Sequence, residues 1–80
     1  MTTLATLDVG ATGSVKALRL QEREATWLRA VGLFEGVEVT LLRRAPLGGP
    51  LHLRISTGSE LALDRELARS VELAPAGAVP

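Results

Sequence analysis

The stretch W-L-R-A-V-G-L-F-E-G-V-E-V-T-L-L-R-R-A-P-L-G-G-P-L-H-L, from Trp27 to Leu53, decides the fold. A helix ending before Gly32 puts Leu28 in its last turn and Leu33 one residue past the glycine. Gly32 can then take the left-handed conformation that stops a helix, while Leu33 folds back onto Leu28. Glu35-Gly36 offers a type II turn, with Gly36 supplying the positive φ. From Val37 to Arg44 Val37, Val39 and Leu41 face one side, which marks a strand, although Leu42 interrupts its polar face. Ala45 to Pro50 holds two prolines and two glycines, so it cannot continue a ladder and reads as a loop between antiparallel strands. Strict alternation resumes with Leu51, Leu53 and Ile55 inward and His52, Arg54 and Ser56 outward.

Working outward, Gln21 to Val31 is a short amphipathic helix, with Glu22 and Glu24 near its positive N-terminal end and Trp27 and Val31 one turn apart. Ser14 to Leu20 reads as a strand with an irregularity at Ala17-Leu18. Leu4, Leu7 and Val9 form a short extended arm that ends in the Gly10 to Gly13 turn. Downstream, Gly58-Ser59 makes a tight turn into a strand from Glu60 to Leu63. Asp64 caps one helical turn, Arg65 to Arg69, and Val71 to Leu73 supplies a last strand. Residues 1–74 make one domain, and residues 75–80, with too little bulk to anchor, a flexible tail. Short strands at this spacing predict a mainly β fold, a small closed or nearly closed β-barrel with two short helices.

Composition narrows the function. At 80 residues the chain has room for one modest core and none for a deep cleft. Nine Lys or Arg balance nine Asp or Glu, so no net positive charge drives counterion release from a nucleic acid, and no nucleic-acid partner is expected. The absence of cysteine rules out disulfides and thiolate chemistry and suits the cytoplasm. The N-terminus lacks the pattern of a signal peptide, and charges cut every apolar run, so direct membrane insertion is not expected.

Few residues carry chemistry. His52 is the single histidine, on the outward face of a strand, and no metal or cofactor site is read from it. Ser56 shares its face without forming a nucleophile–base pair, and no catalytic residues are expected. Gly10-Ala-Thr-Gly13-Ser14-Val-Lys16 fails the P-loop spacing and reads as a turn. Arg43-Arg44 and the other arginines are interleaved with carboxylates and read as solvated faces. Phe34 and Leu47 stand out as bulky apolar residues in a turn and a loop, and Trp27 as a core or interface anchor.

In combination these segments resemble the ferrous-iron-transport protein A (FeoA) domain family. The likeness is carried by W-L-R-A-V-G-L-F-E-G-V-E-V, by R-R-A-P-L-G-G-P-L-H-L, and by G-S-E-L-A-L-D-R-E-L-A-R-S-V-E-L. Glu35 stands where the family usually has proline, Gly49 where it has aspartate, and Trp27 and Asp64 where arginine is common. The resemblance implies an SH3-like barrel and a cytosolic accessory protein of ferrous-iron uptake. Such a protein would act by protein–protein contact, as a GTPase regulator, on the cytosolic domain of the FeoB membrane permease, recruited to the inner face of the membrane. A candidate contact surface comprises Trp27, Phe34, Leu47 and Pro50. Two alternatives share the fold: the SH3-like domain of metal-dependent repressors, whose helix-turn-helix and metal-binding histidines these residues do not contain, and a small RNA-binding SH3-like module, which zero net charge disfavours.

Overall fold

The helix stop is built as its residues require. In the computed structural model, which describes residues 2–75, α1 spans Glu22–Ala30. The Leu33 N–H donates to the Leu28 carbonyl at 2.9 Å and the Gly32 N–H to the Arg29 carbonyl at 3.1 Å, with Gly32 at φ 103°. This pair of bonds satisfies two carbonyls that the helix end would otherwise leave open, and Leu28 and Leu33 are both fully buried. Four residues on, the Val37 N–H donates to the Phe34 carbonyl at 3.1 Å across Gly36, at φ 94°, which closes the second turn.

Five strands follow from the alternation: β1 Thr12–Leu18, β2 Glu38–Arg44, β3 Leu51–Ile55, β4 Glu60–Leu63 and β5 Val71–Pro75. They form one antiparallel sheet in the order β4-β3-β2-β1-β5. The ladder links neighbours only, so the two ends of the sheet, β4 and β5, are not hydrogen-bonded to one another among the described residues. The inward faces of the strands meet in a core of aliphatic side chains, in which Val39, Leu41, Leu51, Leu53, Ile55 and Leu63 are fully buried. Because side chains alternate faces along a strand, Thr40, Arg54 and Glu60 fall in one register row on the opposite face, and Arg43, His52 and Ala62 in another.

The irregularity expected at Ala17-Leu18 lies earlier in β1, around Lys16, and Leu42, expected only to interrupt the polar face of β2, sits at a second one. The β1–β5 register shifts between Val15 and Ala17, and the β2–β3 register between Leu41 and Arg43, so the out-of-pattern residue is absorbed as a bulge. Strand ends differ from expectation. β1 runs from Thr12 to Leu18, two residues earlier at both ends than the expected Ser14 to Leu20: Thr12 pairs with Thr40 in the ladder, and their hydroxyls bond at 2.8 Å. β3 stops at Ile55, since the Gly58 N–H returns to the Ile55 carbonyl at 2.8 Å and places the turn at Ser56–Gly58 rather than at Gly58-Ser59.

The N-terminal arm corrects the expectation of an extended segment. Leu4–Thr6 is a single 3₁₀ turn, in which the Thr6 hydroxyl accepts from the Thr3 N–H at 3.0 Å. Its three-residue period puts Leu4 and Leu7 on one side, and both enter the core. The Leu73 N–H donates to the Thr2 carbonyl at 2.8 Å and Thr3 bridges Glu72, so the arm covers the outer edge of β5. A second short helix, α2 Arg65–Ala68, packs against this turn after Asp64, whose carboxylate accepts from the Glu66 N–H at 2.7 Å. β5 continues to Pro75, opposite Gly13, one residue into the segment read as a tail; residues 76–80 lie outside the described residues.

Candidate functional site

The loop between β2 and β3 is a four-residue turn from Pro46 to Gly49, closed by the Gly49 N–H donating to the Pro46 carbonyl at 3.2 Å. Its two central residues, Leu47 at φ 60° and Gly48 at φ 74°, are both left-handed. Glycine adopts that region freely, whereas Leu47 is the single non-glycine residue to do so among those described. The Leu47 side chain is fully solvent-exposed, so burial does not repay the strain.

The base of the loop is fastened from both sides. The Ala45 N–H donates to the Pro50 carbonyl at 3.0 Å, and the Arg65 guanidinium reaches from α2 to the Gly49 carbonyl at 3.2 Å and the Ala45 carbonyl at 3.5 Å. Gly49 is required here for closeness, because a Cβ at this position would lie 2.8 Å from the Ala45 Cβ. Arg65 is a residue that pattern reading missed. An arginine opening a four-residue helix does not announce in one dimension that it will hold a loop sixteen residues upstream.

Arg43 and Arg44, read together as a solvated face, have different fates. The Arg44 guanidinium is half-buried and donates to the Ala5 carbonyl at 2.7 Å and to the Leu7 carbonyl, tying the end of β2 to the 3₁₀ turn. Arg43 is exposed, and its Nε donates to the Nδ1 of His52 at 3.2 Å. His52 is therefore half-buried and hydrogen-bonded rather than a freely solvated side chain.

Apart from Val9, which precedes β1, the large apolar side chains elsewhere on the surface belong to α1 and the turn after it. Trp27 is 51% exposed, Phe34 43% and Val31 37%. Trp27 lines a shallow apolar groove of about 380 Å³ with Arg23, Glu24 and Leu67 of α2. A second concavity, also of about 380 Å³, lies at the base of the β2–β3 loop and is lined by Pro50 with Arg43, Arg44, Pro46, His52 and Ala62 among others. The two share no lining residue, and Phe34 and Leu47 line neither. Leu67 is the further apolar residue that sequence reading did not single out.

Charges outside these patches are mostly paired. Glu72, 7% exposed, sits between Arg19 at 2.7 Å and Lys16 at 3.5 Å. The hydrogen bond from Arg19 holds its carboxyl below the usual carboxylate range, against the opposing effect of burial. Glu35 pairs with Arg29 at 3.0 Å, and that hydrogen bond likewise lowers its carboxyl and raises the guanidinium. Among the described residues no three His, Cys, Asp or Glu side chains converge to hold a metal ion. No helix among them is long and apolar enough to cross a membrane.

With this geometry in hand, the decisive comparison is with protein families: residues 2–75 match the FeoA domain model. The chain belongs to the FeoA domain family. Among solved structures, FeoA from Chlorobium tepidum superposes with a TM-score of 0.87 at 25% identity, over 95% of this chain and 71% of that one. FeoA from Stenotrophomonas maltophilia, solved with zinc and described as a prokaryotic SH3 domain protein, matches at 27% identity and a TM-score of 0.72, over 92% of this chain and 91% of that one. A manganese-dependent transcriptional repressor shares the fold at 18% identity and a TM-score of 0.82, with 91% of this chain spanning 35% of the repressor. A search of curated sequences found no match. The SH3-like reading of the FeoA fold is thus correct, with the sheet open between its end strands.

Proposed function

We propose that this FeoA-family chain is a cytoplasmic accessory factor of ferrous-iron uptake that acts by contact with the cytosolic, GTPase-containing part of the FeoB permease. The observation that carries the reading is Leu47: a fully exposed apolar side chain held at φ 60° on a loop that Arg65 fastens from beneath. A strained, exposed leucine contributes nothing to the isolated fold, so its use lies in a surface that buries it. Pro50 lies in the concavity at the base of that loop, while Trp27, in a groove that Leu67 extends, and Phe34 offer separate apolar contacts. Support for iron uptake as the setting comes from family membership and from the S. maltophilia relative, described as an activating factor of ferrous iron transport.

The test is a pull-down with the permease's cytosolic domain using Leu47→Asp, which leaves the core untouched. Retention by the variant is expected to fall at least about tenfold, the loss of one buried apolar anchor. Retention equal to the parent, with an unchanged amide spectrum, removes the loop from the surface. Trp27 fluorescence, titrated with that domain with and without guanine nucleotide, separates regulation of the GTPase from simple assembly.

A further inference from the structure

We infer that the concavity beneath the β2–β3 loop is a docking site for an acidic peptide segment, with Arg43, held in place by His52, as its carboxylate-binding group. The inference rests on the reading that this loop faces a protein partner and adds the chemistry of what it takes. The cavity volume, about 380 Å³, falls in the range of small binding sites. Its lining includes two arginines and a histidine but no Asp or Glu.

The arginines are not equivalent. Arg44 spends its guanidinium on the Ala5 and Leu7 carbonyls, which leaves Arg43 as the available cation. Arg43 donates its Nε to His52, and its two terminal nitrogens have no protein acceptor among the described residues. That bond also sets the tautomer of His52. An Nδ1 that accepts carries no proton, so the ring's hydrogen is on Nε2, and the role of His52 at this site is to hold the guanidinium by its Nε–H. No internal acid competes: Glu60, in the neighbouring register row, is paired with Arg54 at 3.7 Å.

The walls discriminate between anions. Pro46, Pro50 and Ala62 are apolar, and the site offers one free guanidinium. A singly charged carboxylate flanked by aliphatic chain matches both features. A phosphate would bring more charge than the single cation neutralises, and nothing apolar to lay on the prolines.

The experiment is an NMR titration of ¹⁵N-labelled protein with the capped peptide acetyl-Leu-Glu-Leu-amide, its glutamine counterpart, and inorganic phosphate. The glutamate peptide is expected to shift the Arg43 Nε–H and the Leu51 and Ala62 amides. Arg43→Gln is expected to bind it about tenfold more weakly, the loss of one charge-assisted contact. Arg43 is exposed, so the variant should fold, and the same spectra report that. Equal binding of the glutamine peptide, undiminished binding by Arg43→Gln, or shifts at these positions with phosphate alone each overturn the inference. Permease retention that survives Arg43→Gln while Leu47→Asp abolishes it would leave the contact reading standing without this site.

Discussion

At the scale of single residues, the fold spends stability where it displays side chains and gains it where charges are shielded. Leu47 illustrates the first. A left-handed L-residue costs about 1–2 kcal/mol, and asparagine tolerates the region far better. Leu47→Asn should therefore raise stability by about 1 kcal/mol, a rise of about 4–8 °C in the thermal midpoint of a domain this size, while weakening partner retention. A melt with an unchanged midpoint would show that the strain is relieved elsewhere. Glu72 illustrates the second. Its folded carboxyl is held low by Arg19 first and Lys16 after it, so the unfolded chain takes up the proton more readily. That contribution is complete above the ordinary carboxylate value and disappears as the pH falls through the lowered, folded one. Urea midpoints of the parent should consequently fall more steeply below about pH 4.5 than those of Glu72→Gln. Parallel pH profiles would remove Glu72 from the acid response.

At the scale of elements, the short helix α2 is better understood as a fastener than as a packing unit. It has four residues, too few for propensity to hold it, and depends on the Asp64 cap and on burial of Ala68. In return it supplies Arg65 to the loop and Leu67 to the Trp27 groove. Arg65→Met keeps the length of the side chain and removes its donors. Stability should drop by about 1 kcal/mol, with hydrogen exchange at the Ala45 and Gly49 amides accelerating more than at core strands. Uniform acceleration across the sheet would mean that Arg65 supports the fold as a whole rather than the loop. The turn after α1 shows the same economy in another form: Glu35 occupies the second position of a turn that suits proline, and its pairing with Arg29 braces the turn from the side.

At the scale of the whole molecule, stability rests on one aliphatic core at the limit of what 80 residues can bury. Leu53→Ala, at the centre of β3, should cost about 2–5 kcal/mol, against a total of about 4–12 for a chain of this length. Chemical denaturation is the check, and a loss below about 1 kcal/mol would mean that the core collapses readily around the gap. Much of this architecture is legible in one dimension because it is governed by local rules. The Gly32 stop, the Gly36 turn, the alternation of β2 and β3 and the Asp64 cap each follow from a few adjacent residues, and together they carry the family likeness. The surface is less legible. Trp27, Phe34, Leu47 and Pro50 stand out in the sequence, but their division between a helix groove, a loop tip and a second concavity depends on where α2 lands. Leu67, Arg65 and the Arg43–His52 pair acquire their roles only through residues brought from other strands and helices. The sequence alone determined the elements and their order, since backbone conformation answers to near neighbours. Only the tertiary structure decided which polar groups meet and which apolar ones stay exposed, because hydrogen bonding and burial are settled between segments distant in the chain.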